Sequence, residues 1–211
     1  LAHLGMIVTG VVAGNQQGVQ GALLLSVSHG LTVTGLFALV GFLEARRGTR
    51  SVDAFGGLWS SIPLIGTLLL TVILASIGLP GLSAFPGEFT LLIGVFRSST
   101  VAAAFATLGI VLGAWYMLNL FRRTFTGPLD RPENRGLADL RAREALVILP
   151  LVALLFVIGV LPSLILQPTE AAVSDLLDLS EQREALVEDA DGLASFLVVG
   201  REQSWDLPQR E

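Results

Sequence analysis

The sequence predicts an all-α integral membrane protein, a polytopic transmembrane helical bundle in which one helix is discontinuous. Of the 211 residues, 52% are hydrophobic and only 15% are charged, whereas soluble domains carry about 25% charged residues. The mean hydropathy is +0.71, and several apolar runs approach the ~20 residues that cross a bilayer. One of these runs is longer than a single span and contains prolines and glycines, which predicts a broken helix.

The chain divides into a predicted transmembrane region, residues 1–168, and an acidic C-terminal tail, residues 169–211. The predicted spans are residues 1–13 (partial), 19–43, 58–97 (broken), 99–121 and 145–167. Trp115 and Tyr116 lie near one end of the fourth span, as expected for an interfacial aromatic belt. Because the chain begins at Leu1 inside an apolar run, we expect it to be the C-terminal part of a longer protein.

The discontinuous helix is predicted within residues 58–96, where Glu88 is the only charge. The run is too long for one straight helix and too short for two spans with a turn. Four residues mark the break: Pro80, Gly81, Pro86 and Gly87. Proline removes a backbone donor, and glycine lets the chain change direction. We predict one crossing made of residues 63–79, an irregular stretch 80–86 and residues 87–97. Unwound backbone at membrane depth needs polar partners, so the break predicts a polar interior.

Arginine placement predicts the topology. Nine arginines lie in two loops, residues 44–57 and 122–144, and the opposite face keeps only Arg97 in its short loops. If residues 58–97 cross once, both rich loops lie on one face, which the positive-inside rule makes cytoplasmic. The tail would then be on the outer face. Residues 169–190 have loose helical periodicity, which leaves two alternatives: an amphipathic surface helix or a poorly ordered extension.

Glu88 is the strongest functional signal. A charged side chain at the centre of a bilayer helix costs about 2.5–3.5 kcal/mol on insertion scales. An isolated carboxylate would avoid this cost by taking up a proton, and a carboxyl that gains and loses a proton can take part in proton transfer. The alternative is an interfacial glutamate, or one neutralised by an arginine of another span.

Two histidines lie in apolar spans. His29 is in the middle of the second span, flanked by hydroxyl residues at Ser26, Ser28, Thr32 and Thr34. Imidazole can relay a proton between its two nitrogens, and hydroxyls and water can extend such a path. The alternative is a histidine that only packs helices together. His3 is similar, and two histidines so far apart predict no metal site. The chain has no cysteine, which excludes thiolate zinc and iron–sulfur ligands here.

Several segments together resemble a known family. They are "AHLGM", "SVSHGLTVTGLFALVGFLEARRGTR", "GGLWSSIP", "ASIGLPGLSAFPGEF" and "AWYMLNLFRRTFTGP". In this order they resemble the M-type subunits of bacterial NADH:quinone oxidoreductase (respiratory complex I), relatives of mitochondrial subunit four. "LRAREALVILPLVALLFVIGVLPSLIL" resembles the last span of that family. The resemblance covers roughly residues 1–168.

The resemblance implies an antiporter-like subunit, of which this chain holds part of the tenth through the fourteenth transmembrane helices. The family breaks its twelfth helix, which matches residues 63–97, and places an ionisable residue there, which matches Glu88. Histidines of its tenth and eleventh helices match His3 and His29. Related L and N types generally have lysine in the broken helix, so Glu88 favours the M type.

The resemblance also implies a function, proton translocation coupled to electron transfer from NADH to quinone in a bacterial inner membrane. It implies no redox centre in this chain; NADH, FMN, iron–sulfur clusters and quinone are expected in partner subunits. The expected partners are L-type and N-type membrane-arm neighbours, the lipid bilayer and protons, and no nucleic acid. The alternatives are a cation/proton antiporter subunit, a membrane-bound hydrogenase subunit, or a passive membrane anchor.

Overall fold

The computed structural model describes the backbone of residues 2–203 and the side chains of residues 2–183 and 185–187. Over that part of the chain all regular structure is helical, which confirms the predicted all-α class. The α-helices are α1 Ala2–Val12, α2 Gln16–Arg47, α3 Pro63–Ser76, α4 Ala84–Ser98, α5 Thr100–Phe125, α6 Ala142–Val160 and α7 Ser163–Gln203. Short 3-10 helices lie at Val52–Ala54, Leu58–Ser60 and Pro132–Asn134.

Three helices of the described region, α2, α5 and α6, are long and apolar enough to cross a membrane. α1 and α3 are shorter apolar helices. Large apolar side chains are exposed on these helices, including Phe37, Phe105 and Trp115, each more than 70% exposed. Such exposure suits a surface that faces lipid or other transmembrane helices. These features are typical of a multi-pass membrane protein.

The ends of α2 follow from its capping residues. The Asn15 side chain accepts a hydrogen bond from the Gly18 amide at 2.9 Å, and this cap starts the helix before the predicted residue 19. Gly48 ends the helix in the left-handed region, with φ of 67°, as a C-terminal glycine does. α2 is therefore longer at both ends than the predicted span 19–43.

The predicted span 145–167 is divided in the structure, which is a correction. α6 ends at Val160, and α7 begins at Ser163. Leu161 adopts φ −122° and ψ 62°, outside the helical region, because the residue before a proline is sterically disfavoured there. Pro162 then lacks the amide that would continue the α6 hydrogen bonds.

The break in the predicted discontinuous helix separates α3 from α4 at residues 77–83. Gly78 has φ of 74°, and the Leu79 amide bonds to the Leu74 carbonyl at 3.0 Å. This pairing is the Schellman C-terminal motif, which proline commonly follows, as Pro80 does here. Gly81, with φ of 91°, lies in the same break.

Pro86 and Gly87, which we expected in the break, belong to the first turn of α4. Proline is tolerated there because the first amides of a helix have no partner within the helix. Gly87 serves packing: a Cβ on Gly87 would lie 2.8 Å from the Leu25 amide nitrogen of α2. α4 thus begins earlier than the predicted residue 87.

α2 and α4 approach each other closely through small residues. A Cβ on Gly21 of α2 would collide with the Leu91 backbone of α4, and one on Gly94 would collide with the Gly18 backbone. The Asn15 side-chain amide also donates to the Gly94 carbonyl at 2.8 Å. Small residues allow such close helix contact in membranes. The packing fixes the position of Glu88, which lies on α4 beside the contact face.

A group of three residues, which we call the clasp, joins α2, α3 and α6 at their ends near the arginine-rich loops: Arg46, Asp139 and Glu144. Arg46 pairs with both Glu144 carboxylate oxygens, at 2.8 and 2.6 Å. It also donates to the carbonyls of Phe42, Ala138 and Asp139. The Asp139 carboxylate accepts hydrogen bonds from the amides of Leu64 and Ile65, at 2.9 and 3.1 Å.

Asp139 therefore caps α3 from another part of the chain, because the N-cap residue Ile62 has no polar side chain. The Arg46 side chain is only 5% exposed.

The chain separates into two compact units, Leu1–Glu170 and Ala171–Glu211. In the second unit the backbone is helical to Gln203, as part of α7. The first unit contains the candidate site.

Candidate functional site

Glu88 is buried near the start of α4, with 5% of its surface exposed. Its carboxylate packs directly on the break, because a Cβ added to Gly78 would collide with Glu88 Oε2. Gly78 is thus required twice, for its positive φ and for the room that it leaves. The break and the carboxylate are parts of one arrangement.

His3 of α1 contacts both helices that flank the break, α3 and α4. Its Nε2 lies 2.8 Å from the Ser76 carbonyl oxygen at the end of α3 and 3.3 Å from Glu88 Oε1 of α4. The single N–H of Nε2 can be directed at only one of these two oxygens, and the shorter distance indicates that it donates to the Ser76 carbonyl. Glu88 Oε1 accordingly is buried with no hydrogen-bond partner among the described residues.

His29 of α2 lies beside His3, with the ring centroids 5.2 Å apart and the planes at 29°. This is stacking, so the rings meet face to face and do not share an in-plane hydrogen bond. His29 Nδ1 is buried and has no hydrogen-bond partner within the described region.

A cavity of about 230 Å³ connects these groups. His3, His29 and Glu88 all line it, together with Ser76 and the Tyr116 side of α5. The volume has room for several waters. A cavity with a carboxyl group and two imidazoles can pass protons between its groups through water.

The hydroxyl residues that flank His29 in sequence have different partners. Ser26, Thr32 and Thr34 each donate to carbonyls of their own helix. Ser28 alone reaches another segment: its hydroxyl lies 2.6 Å from that of Ser83, in the break. Both serines are fully buried. The expected extension of a path from His29 by hydroxyls therefore has one candidate, Ser28.

The structure brings together the three residues singled out from the sequence, Glu88, His29 and His3, although they come from three different helices. Sequence reasoning missed Gly78 and the Ser76 carbonyl. The signal for both was Pro80: a glycine two residues before a proline at a helix end indicates a C-terminal cap, and the carbonyl four residues before a proline has no helical donor.

Comparison with known proteins identifies the family. Residues 1–113 match the family described as NADH:quinone oxidoreductase/Mrp antiporter, TM. The match covers more than half of the chain, and the chain therefore belongs to this family.

The curated relatives include M-type subunits. The chain is 39% identical over 177 residues to subunit M of NADH-quinone oxidoreductase from Rhodobacter capsulatus, covering 84% of this chain and 35% of that protein. It is 38% identical over 184 residues to subunit M from Mycobacterium tuberculosis, covering 87% and 33%. Chain 4 of NADH-ubiquinone oxidoreductase from Marchantia polymorpha is 38% identical over 177 residues, covering 84% and 36%. The chain thus spans about a third of the length of these relatives, and the predicted resemblance to an M-type subunit is confirmed.

Solved structures agree with this assignment. A chain of respiratory complex I from Thermus thermophilus with bound NADH has a TM-score of 0.76 and 37% identity, covering 83% of this chain and 37% of that chain. A chain of the Mrp complex from Dietzia sp. DQ12-45-1b has a TM-score of 0.71 and 21% identity, covering 87% and 42%. The second likeness establishes the shared fold alone.

Proposed function

We propose that this member of the NADH:quinone oxidoreductase/Mrp antiporter family is part of a proton-translocating M-type subunit. In this proposal the subunit belongs to the membrane arm of an NADH:quinone oxidoreductase and couples electron transfer from NADH to quinone with proton pumping. The observation that carries the proposal is the meeting of Glu88, His3 and His29 in one cavity at the break of a membrane helix. Ionisable residues inside a membrane are expensive and by default functional.

The proposed roles follow from the geometry. Glu88 is the outward release site, because it lies on α4, the half of the discontinuous helix that leads away from the arginine-rich loops. His3 is its immediate proton partner, at 3.3 Å. His29 is the relay on the other side of His3. Since the two rings stack, transfer between them uses a water in the cavity rather than a direct bond.

The redox chemistry is assigned to partner subunits. The chain has no cysteine, and its described residues hold no group of three metal-ligating side chains. These residues do not fit an iron–sulfur cluster, and we derive no step through one. NADH, FMN, iron–sulfur clusters and quinone belong to other subunits in this proposal, and L-type and N-type subunits are its membrane neighbours. This chain contributes the proton path.

The proposed location is the bacterial inner membrane, with loops 44–57 and 122–144 in the cytoplasm. The arginine distribution supports this orientation. The clasp residues Arg46 and Glu144 then lie at the cytoplasmic end, and Arg97 lies near the outer face.

The deciding experiment replaces Glu88 with glutamine in the assembled complex, which keeps the shape and removes the titratable proton. We expect proton pumping per electron to fall to about a tenth or less, since a positioned proton-transfer group contributes about 10²–10⁴-fold to rate. Glu44→Gln is the matched control, because Glu44 lies at the end of α2, paired with the exposed Arg50. Full pumping by assembled Glu88→Gln complex would refute the proposal and favour a passive anchor.

A cation/proton antiporter is the second candidate, because the family description includes antiporters. NADH-to-quinone electron transfer in the purified complex separates the two functions. Its absence, with sodium-dependent proton movement in vesicles, would favour the antiporter.

A further inference from the structure

The Ser76 carbonyl is a main-chain acceptor released by the helix break. In a continuous helix it would accept the amide of residue 80, but residue 80 is proline and has no amide hydrogen. The Schellman pairing uses the Leu74 carbonyl for the Leu79 amide, and Ser76 accepts His3 Nε2 instead, at 2.8 Å. The break therefore provides a fixed polar partner at the site, in addition to separating two helix segments.

Two oxygen atoms face the same nitrogen of His3. Besides the Ser76 carbonyl, Glu88 Oε1 lies 3.3 Å from Nε2. A carbonyl oxygen only accepts hydrogen bonds. An unprotonated Nε2 would place its lone pair against the carbonyl lone pairs at 2.8 Å, so this nitrogen carries the hydrogen. In the neutral ring, Nδ1 is then the nitrogen that can accept a proton.

We propose that the Ser76 carbonyl holds neutral His3 as the Nε2–H tautomer, so that a proton enters the ring at Nδ1 and leaves it from Nε2 towards Glu88. This inference rests on the proposed proton-transfer role of His3. Ser76 is a positioning residue, because its carbonyl acts on the ring and not on the transferred proton.

A proton arriving at Nδ1 makes the imidazolium, with hydrogens on both nitrogens. A tilt of the ring turns Nε2–H from the Ser76 carbonyl towards Glu88 Oε1, which lies 3.3 Å from Nε2. The N–H bond then breaks, its proton forms the O–H bond of Glu88, and neutral His3 keeps the hydrogen on Nδ1. In that product the unprotonated Nε2 faces the Ser76 carbonyl, so the lone pairs of the two atoms repel each other. The carbonyl therefore disfavours the product tautomer. The ring regains Nε2–H when water in the cavity donates a proton to Nε2 and accepts the proton of Nδ1.

The other ionisable groups at the site come from three neighbouring helices. Glu88 belongs to α4, His29 stacks on His3 from α2, and Tyr116 lines the cavity from α5. The described part of α3 contributes no charged side chain. The shorter of the two contacts on His3 Nε2 is thus made by a neutral main-chain group, which no change of pH removes.

The test is nitrogen-15 solid-state NMR of the assembled complex with labelled histidine. Subtracting the spectrum of a His3→Gln complex from that of the unmodified complex isolates His3, at a pH where its ring is neutral. We expect a protonated Nε2 and an unprotonated Nδ1, identified by their couplings to different ring carbons. A protonated Nδ1 in the neutral ring would overturn the inference.

Ser76→Ala is the matched control, because it removes the hydroxyl and keeps the carbonyl. The His3 signals should not change, and a change of tautomer in this variant would assign the effect to the hydroxyl and refute the main-chain role. If His3→Gln does not assemble, subtraction with His3→Asn gives the same comparison. The NMR result does not depend on pumping, so this inference and the proposed function can fail separately.

Discussion

At its N-terminal end α3 is held by a group whose polar atoms are bonded to one another, whereas at its C-terminal end it borders a group that leaves polar atoms without partners. The first end is the clasp, where Asp139 binds two free amides of the helix. The second is the site, where Glu88 Oε1 and His29 Nδ1 are buried and unpartnered among the described residues.

The clasp supports the fold, whereas under the proposed function the site moves protons. A buried charge with a full set of partners rigidifies its surroundings. A buried carboxyl group with an incomplete set is costly, but it can gain and lose a proton with little rearrangement. α3 thus has a fully hydrogen-bonded group at its N-terminal end and an incompletely hydrogen-bonded group at its C-terminal end. Substitutions at the two ends should separate effects on unfolding from effects on proton movement.

The largest expected effect on stability is that of Arg46→Gln in the clasp. It leaves Glu144 and three carbonyls without the guanidinium. Because the pair is partly buried, the cost should lie between the ~1 kcal/mol of an exposed pair and the ~3–5 kcal/mol of a fully buried one. Thermal unfolding or subunit dissociation of the complex would measure the loss. Arg50→Gln is the control, because the Arg50–Glu44 pair is exposed and exposed pairs contribute little. Equal losses of stability in both variants would show that the clasp stabilises the fold no more than an exposed ion pair does.

Gly78→Ala should have the next largest effect, and one that reaches both properties. Its left-handed backbone costs a non-glycine residue about 1–2 kcal/mol, and the added Cβ displaces the Glu88 carboxylate. Gly81→Ala is a matched control, because Gly81 also has a positive φ but a Cβ there meets nothing within 4 Å.

We expect the two glycine variants to unfold at similar temperatures, while only Gly78→Ala loses proton pumping relative to electron transfer. Equal pumping in both would mean that the position of the carboxylate against the break does not matter.

Asp139→Ala should destabilise by less, about 0.5–2 kcal/mol, as loss of a helix N-cap does. Asp139→Asn should lose less still, because the amide oxygen of asparagine can cap one amide. Thermal unfolding of the complex gives both values. A larger loss for asparagine than for alanine would contradict the capping role.

The sequence carried enough information for the fold class, the broken helix and the three ionisable residues, because each depends on composition or on local chemistry. We predicted Pro86 and Gly87 in the break, because the sequence alone does not distinguish a proline in the first turn of a helix from a proline between two helices. We also predicted that the last span, residues 145–167, continues past Pro162. The Ser76–His3 contact and the clasp could not be predicted, because their partners lie far apart in the sequence. His3 and Ser76 are separated by 73 positions, and Arg46 and Glu144 by 98 positions.

Glu88→Gln should have the smallest effect on stability and the greatest effect on pumping. Glutamine keeps the packing against Gly78 and removes a carboxyl group that lacks a partner for Oε1, so the folded state loses no hydrogen bond of that oxygen. We expect unfolding at an unchanged or slightly higher temperature, as is common where an active group is kept at a cost to stability. The measurement is thermal unfolding beside proton-to-electron stoichiometry on the same preparation. A loss of stability as large as that of Arg46→Gln would place Glu88 with the clasp, as a structural residue, and would end the contrast between the two ends of α3.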